Sequence, residues 1–376
     1  MYKLARATFV AGLITTLAAV AQPAVAQTAK RLFAQNSQLR WGTTSNSVVV
    51  TLRGVNFMDP IARLPQNWNR PPGDYSRVAN YWRANVIRIP IQSGEFRNRK
   101  QLTKDTAIAE INHALAASPK LFVIVDWHTI GWPDDVDACD SGFDCSFSLA
   151  REFWDWAARQ WGSNGRVAFE LWNEPRSRDA YDPGAGNYWR QDPANPDGPW
   201  GLRRYWTELV QVIRAAGAQN LIIAAGNRNA SRLDEIKLEP LSDNNVAYAW
   251  HVYPEGDTFP AATYDARLDG LHLTKPVIIT EWGWCDVGDD ARCDNQGDGQ
   301  PFHARATKNS YGQPLWDRYL RPSPTALPSP LSHIAWVWSS EWLPSLVLDT
   351  PYFGDATIYG TFVKQRLNST TQVRPN

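Results

Sequence analysis

The feature that most constrains this chain is an eightfold alternation of short apolar runs with helical segments. The runs are Val48–Leu52, Asn85–Ile89, Leu121–Val125, Val167–Trp172, Leu221–Ala225, Val246–Trp250, Val277–Thr280 and Ile334–Trp338. They are almost continuously hydrophobic, which suits parallel strands covered on both faces. Between them, Thr106–Ala117 sets Ile108, Ile111 and Leu115 on one face and stops before Ser118-Pro119. Ser148–Trp161 carries Leu149, Phe153, Trp156 and Ala157 at helical spacing, with Ser146 or Ser148 as N-cap, and Leu202–Ala216 ends at Gly217. The pattern predicts the α/β class: a closed (β/α)8 TIM barrel, one domain with long βα loops. An open doubly wound sheet is the alternative, but no G-x-G-x-x-G follows the first run.

Three connections exceed simple turns: Thr129–Phe147, Arg176–Gly201 and Trp282–Pro330. Each follows a strand, so each is expected on the C-terminal face, where barrels build their sites. The proline-rich stretch 321–330 could join two domains, but the eighth strand follows it, so it is read as a stiff loop. At the other end, Lys3 and Arg6 precede an apolar run from Phe9 to Val20 and then Ala24-Val25-Ala26. That order predicts a signal peptide at 1–26, a catalytic barrel over 27–376, and a secreted protein, extracellular or periplasmic. The run is too short, and too interrupted by Thr15 and Thr16, for a bilayer span. In an exported chain the close pairs Cys139/Cys145 and Cys285/Cys293 predict two small-loop disulfides. A zinc site would ask for different spacings.

Charge argues against a polyanionic partner. The 38 basic residues balance 38 acidic ones with no long block of either sign, so neither nucleic acid nor membrane is expected. Nineteen tryptophans in 376 residues are a large excess. Many must be core, yet a flat apolar face with an N–H at its edge also suits a sugar ring. Polar residues gather at strand ends: Arg88 in the second strand, His128 after the third, Asn173-Glu174 after the fourth, His251 and Tyr253 after the sixth, and Glu281 after the seventh, with Trp338 at the eighth. In a barrel these ends share one mouth. Two glutamates facing across it would give glycoside hydrolysis its pair of carboxyls, and a separation of about 5–5.5 Å would predict retention of configuration.

Leu171-Trp-Asn-Glu-Pro175 and Ile279-Thr-Glu-Trp-Gly283 resemble the two signature segments of glycoside hydrolase family 5. Val86-Ile-Arg-Ile-Pro90, Val125-Asp-Trp-His128, His251-Val-Tyr253 and Trp336-Val-Trp338 are similar to further segments of that family, in its order. The resemblance implies Glu174 as acid/base and Glu281 as nucleophile. It implies Arg88, Asn173 and Tyr253 around the carboxylates, His128 and His251 lining the cleft, and Trp338 as the platform beneath the sugar. Ile130 departs from the family pattern, in which many relatives carry a second histidine there. The implied roles also make physical sense. Asn173 can bind the sugar's 2-hydroxyl, while Arg88 and Tyr253 can donate to Glu281.

The expected activity is that of a retaining endo-β-1,4-glucanase of cellulase type, acting as a monomer without cofactor or metal on a β-linked polysaccharide or oligosaccharide. A β-mannanase or another β-glucanase would share the catalytic pair. A silent glycan-binding barrel and a metal-dependent hydrolase are the other classes, the latter disfavoured because the six histidines form no His-x-His pair. Trp127, Trp132, Trp172, Trp282 and Trp284 are further candidates for stacking on sugars. Asp294-Asn-Gln-Gly-Asp298-Gly faintly resembles a calcium loop, but it and Asp134, Asp135 and Asp137 are read as solvated acidic loops.

Overall fold

In the computed structural model, residues 29–61, 72–182, 186–190, 200–286, 291–294, 304–321, 329–348, 356–369 and 373–375 are described below. The segment 1–26 expected to be a signal peptide lies outside them.

The barrel is closed. Its strands are β4 (Arg53–Phe57), β5 (Val86–Gln92), β6 (Phe122–His128), β7 (Val167–Glu170), β8 (Ile222–Ala225), β9 (Val246–Val252), β10 (Val277–Trp282) and β13 (Ser332–Trp338). Each pairs in parallel with the next, and β13 returns to β4. Ahead of it, β1 (Arg31–Gln35), β2 (Gln38–Gly42) and β3 (Ser47–Val50) form an antiparallel sheet. Two short strands, β11 (Cys285–Asp286) and β12 (Arg305–Ala306), pair beyond β10.

The first barrel strand therefore differs from the sequence expectation. Val48–Leu52 mostly belongs to the outer sheet, and Val48 and Val49 are 49% and 41% exposed. The barrel begins instead at Arg53-Gly54-Val55-Asn56-Phe57, where a Cβ on Gly54 would meet the Val86 carbonyl oxygen at 1.8 Å. Close strand approach explains a glycine in so short a strand.

Strand alternation divides the interior from the helix layer. Val86, Phe122, Ile124, Ala168, Ile223, Ala247, Ile278 and Ile334 fill the barrel core. Leu32, Leu39, Trp41 and Val50 from the outer sheet join that cluster, so the sheet stoppers the end where the strands begin. The residues one step out of phase, such as Ile87, Val123, Phe169 and Trp250, pack against helices. Helix Phe147–Trp161 buries Phe147, Ala150, Phe153, Trp154, Ala157, Ala158 and Trp161, a 3.6-residue stripe. Ser146 occupies its N-cap, but without a side-chain capping bond. The first long helix runs over Lys100–Ala117, starting earlier than its apolar stripe suggests. Helix Leu202–Ala215 stops before Gly217, whose φ of +87° suits glycine.

Both expected disulfides are present, Cys139–Cys145 and Cys285–Cys293. Among the described residues, no helix is long and apolar enough to cross a membrane.

Candidate active site

The polar groups occupy the open end of the barrel, opposite the stopper. Continuing inward parity past the apolar core brings Asn56 (β4), Arg88 (β5), Asp126 and His128 (β6), Glu170 (β7) and His251 (β9) onto one floor. All six are buried. Glu281 joins them because pairing between β9 and β10 slips between Ile279 and Glu281, turning its side chain inward.

Arg88 organises the floor. Nε donates to Glu170 Oε2 at 2.6 Å, Nη1 to Asn56 Oδ1 at 2.9 Å and Glu281 Oε1 at 2.8 Å, and Nη2 to Asn173 Oδ1 at 2.8 Å. Nη2 also lies 3.1 Å from Asp126 Oδ2. Burial alone would weaken its basicity, but the carboxyls of Asp126, Glu170 and Glu281 outweigh that and hold it protonated.

Around this cation the carboxyls titrate high. Burial pushes Asp126 up to about 7 against the pull of Arg88. Burial also raises Glu170 and Glu281, with Arg88 pulling the latter down and Glu174 pushing it up. The second oxygen of Glu281 accepts from the Tyr253 hydroxyl at 2.9 Å.

Glu174 stands just beyond β7, opposite Glu281. Its Oε2 accepts from Asn229 Nδ2 at 2.7 Å, and its Oε1 lies 2.9 Å from His251 Nδ1. That nitrogen is also 3.6 Å from Glu281 Oε2. One oxygen from each glutamate and one His251 nitrogen thus lie within 4.8 Å of one another. Burial drives His251 and His128 down to about 4, so both imidazoles are neutral near pH 7. His128 bonds Asp126 through Nδ1 at 2.7 Å and stacks on Trp336, with centroids 5.7 Å apart and planes 5° apart.

The structure corrects the expected platform. Trp338 is 1% exposed, wedged edge-on against Trp82 with Phe57 nearby, on the helix side of β13. Trp336 instead borders a cavity of about 150 Å³ with His128, Asn173, Glu174, Tyr253 and Glu281. Register between β13 and β4 slips between Ala335 and Trp338, so two tryptophans of equal sequence parity face opposite ways. The other proposed stacking residues are also core: Trp127, Trp132, Trp172, Trp282 and Trp284 all belong to the apolar cluster between barrel and helices, and Trp336 does not.

Sequence reasoning also missed Asn56, Asp126, Glu170 and Asn229. Asp126 lies two residues before His128 and could have been found by counting in twos, and Glu170 is the one charge in its apolar run; Asn56 lies on a strand that was expected at Val48–Leu52. Asn229 lies in a turn that no periodicity marks. A second cavity of about 390 Å³ adjoins Glu174 on the Asn229 side, and both cavities share Ile130, Glu174 and Tyr253.

A cation has one candidate cluster among the described residues, Glu174, His251 and Glu281, but the nitrogen facing the carboxylates already bonds Glu174. The acidic loops are taken up internally. Arg178 pairs Asp135 and Asp137, Asp134 accepts from the Phe147 N–H at 2.8 Å, and Asp294 pairs Arg305; Asp298 lies outside the described residues. Two carboxyls a few ångströms apart, one tied to a buried cation and one open to a cavity, can protonate a leaving oxygen and attack the carbon it leaves.

Comparison with known proteins agrees with this chemistry. The profile described as cellulase, glycosyl hydrolase family 5, matches residues 45–318. A cellulase of Thermoanaerobacterium sp is 27% identical over 240 residues, covering 61% of this chain and 54% of that protein. Endoglucanase A of Butyrivibrio fibrisolvens is 28% identical, covering 56% and 43%. The chain thus spans about half the length of these relatives. Among solved structures, a Saccharophagus degradans β-glucanase superposes with a TM-score of 0.71 at 22% identity, covering 90% of this chain and 93% of that one. The catalytic domain of a Thermobifida fusca endoglucanase gives 0.63 at 20%, covering 90% and 97%. At these identities the superpositions speak to the fold.

Proposed function

The chain belongs to glycosyl hydrolase family 5, and from that premise we propose that it hydrolyses β-1,4-glucan at internal bonds with retention of configuration. The observation that carries this is the Glu174–Glu281 pair, with oxygens within 4.8 Å on the floor of a cleft. That spacing suits direct attack by a carboxylate and leaves too little room for an intervening water.

In the first step Glu281, held by Arg88 and Tyr253, attacks the anomeric carbon while Glu174 gives its proton to the departing oxygen. The C–O bond to the leaving sugar breaks and an ester to Glu281 forms. In the second step Glu174, now a carboxylate, takes a proton from water, whose oxygen displaces Glu281 and restores both groups. Asn173, fixed by Arg88, is placed to bind the 2-hydroxyl, and Trp336 to stack beneath the same ring. Neutral His251 touches both carboxyls without adding charge. The larger cavity, beside the acid, takes the leaving portion. Its continuity with the smaller one supports a polymer lying across the pair, hence internal cutting. The names of the glucanase relatives support glucan as the polymer.

The same reading includes export directed by residues 1–26, one catalytic domain over 27–376, and action as a monomer. The test is release of reducing ends from soluble cellulose, mannan, xyloglucan and mixed-linkage glucan side by side, with proton NMR of the first anomer formed. The expectation is preference for β-1,4-glucan, a β anomer as first product, and loss of about 10³-fold or more in Glu281→Gln. An α anomer first, or an undiminished variant, overturns the mechanism; preference for mannan overturns the substrate.

A further inference from the structure

After β8 the chain makes a turn in which Arg228, Asn229 and Ala230 have φ of 57°, 55° and 55°. Three successive non-glycine residues in the left-handed region are strained and persist only where surroundings enforce them. Here they do. Asn229 N–H donates to the Pro175 carbonyl at 3.0 Å and His251 N–H to the Ala230 carbonyl at 3.0 Å. Asn227 binds Ser177 twice, accepting its N–H at 3.0 Å and donating to its hydroxyl at 2.9 Å. The turn is therefore fastened on one side to the segment carrying Glu174 and on the other to the strand carrying His251.

Its product is one contact: Asn229 Nδ2 reaches Glu174 Oε2. The far end of that amide is also engaged, because the Tyr181 hydroxyl donates to Asn229 Oδ1. Tyr181 is 61% exposed and borders the larger cavity, with the Arg228 guanidinium 5.2 Å from its ring centre.

We propose that Asn229 is a positioning residue for the acid/base Glu174, and that Tyr181 orients it from the leaving-group side of the cleft. This rests on the function proposed above and extends it to how the acid is aimed. With Oε2 committed to Asn229, the proton of Glu174 is left to Oε1, the oxygen that also meets His251 Nδ1. A donor at Oε2 also favours the ionised form, which the second step needs.

Other groups facing Glu174 are the same in any Asn229 variant. They are Asp126 and His128 from β6, His251 from β9, Tyr253 just after it, Glu281 from β10, and Tyr181, itself acted on by Arg176, Asp140 and Arg228. A change in pH profile on altering Asn229 thus reads its own bond.

The experiment uses Asn229→Gly, which removes the amide while tolerating positive φ, and Tyr181→Phe, which removes one surface hydroxyl. Each is assayed on cellotetraose and on 2,4-dinitrophenyl β-cellobioside, whose phenolate leaves without protonation. For Asn229→Gly we expect kcat/KM on cellotetraose to fall about tenfold or more, the scale of one lost hydrogen bond to a charged group. The dinitrophenyl glycoside should change less than about threefold. The alkaline limb of the cellotetraose profile should move to higher pH, with Tyr181→Phe shifting it the same way by less. Equal losses on both substrates, or an unmoved alkaline limb, overturn the proposal. Should wild type cleave neither substrate, or Glu281→Gln remain active, the parent reading falls and this one with it. An active wild type and an inactive Glu281→Gln confine any failure to Asn229.

Discussion

The Arg88 guanidinium donates to four different partners, Asn56, Glu170, Asn173 and Glu281, and forms an ion pair with a fifth, Asp126. A planar fork can meet this many partners at once, and a lysine ammonium with three donors cannot. Arg88→Lys should therefore leave buried carboxyls unmatched, lowering stability by about 3 kcal/mol and turnover by more than tenfold. Urea melts with parallel initial rates would show it; a variant retaining both would mean that the floor is organised otherwise. Trp336 and Trp338 offer a second test, since one borders the cavity and the other the helix layer. Trp336→Ala should raise KM and reduce kcat/KM about tenfold or more while changing the melting midpoint little. Trp338→Ala should cost about 3–5 kcal/mol of stability, and Trp338→Phe should recover most activity. The reverse pattern would restore Trp338 as the platform. That Glu174, Glu281, Arg88, His128, His251, Asn173 and Tyr253 gather at one mouth was legible in sequence because strand ends converge in any barrel. The platform was not, because parity fails where register slips, and backbone pairing rather than residue type decides that.

At the scale of elements, seven of the eight barrel strands occur where apolar runs predicted them, with ends displaced by up to three residues. The first did not, for a physical reason. Val48-Val49-Val50 carries stronger strand propensity than Arg53-Gly54-Val55-Asn56, yet an outer sheet needs only one buried face, whereas a barrel strand bearing site residues must turn small and polar groups inward. The same preference for apolar runs hid the antiparallel stopper. Loops are the part least written in sequence, and here they are stapled. The Cys139–Cys145 link closes the loop whose Asp140 pairs with Arg176. Behind it, Gly131 N–H donates to the Glu174 carbonyl at 3.0 Å. Replacing both cysteines by serine should cost about 2–3 kcal/mol and raise KM more than it lowers kcat, because the loop borders the leaving-group cavity and not the reacting atoms. A fall in kcat alone would show that the staple acts on the catalytic groups directly.

For the whole molecule, the barrel is apolar at its stoppered end and charged at its open end, so acid acts on it through opposing groups. Asp126 in the fold titrates at about 7, well above an unfolded aspartate near 3.9. Its contribution is present below about pH 4 and lost as pH rises toward 7, and Glu170 and Glu281 share that sign. The histidines do the reverse. The unfolded chain takes up protons as pH falls through about 6.5, while folded His128 and His251 wait until about 4, so their contribution is intact above 6.5 and drains as pH drops. Because the two families oppose, the net slope is a poor diagnostic and a difference is a good one. His333 provides it: it is buried near the start of β13, flanked by Trp282 and Trp316, and burial with nearby Arg53 holds it well below the usual imidazole range. His333→Leu should keep wild-type activity at pH 7 and, in urea melts, gain stability relative to wild type as pH falls from 6.5 toward 4. Parallel stability curves across that window would mean that His333 is protonated in the fold, and the burial argument for the other two would weaken with it.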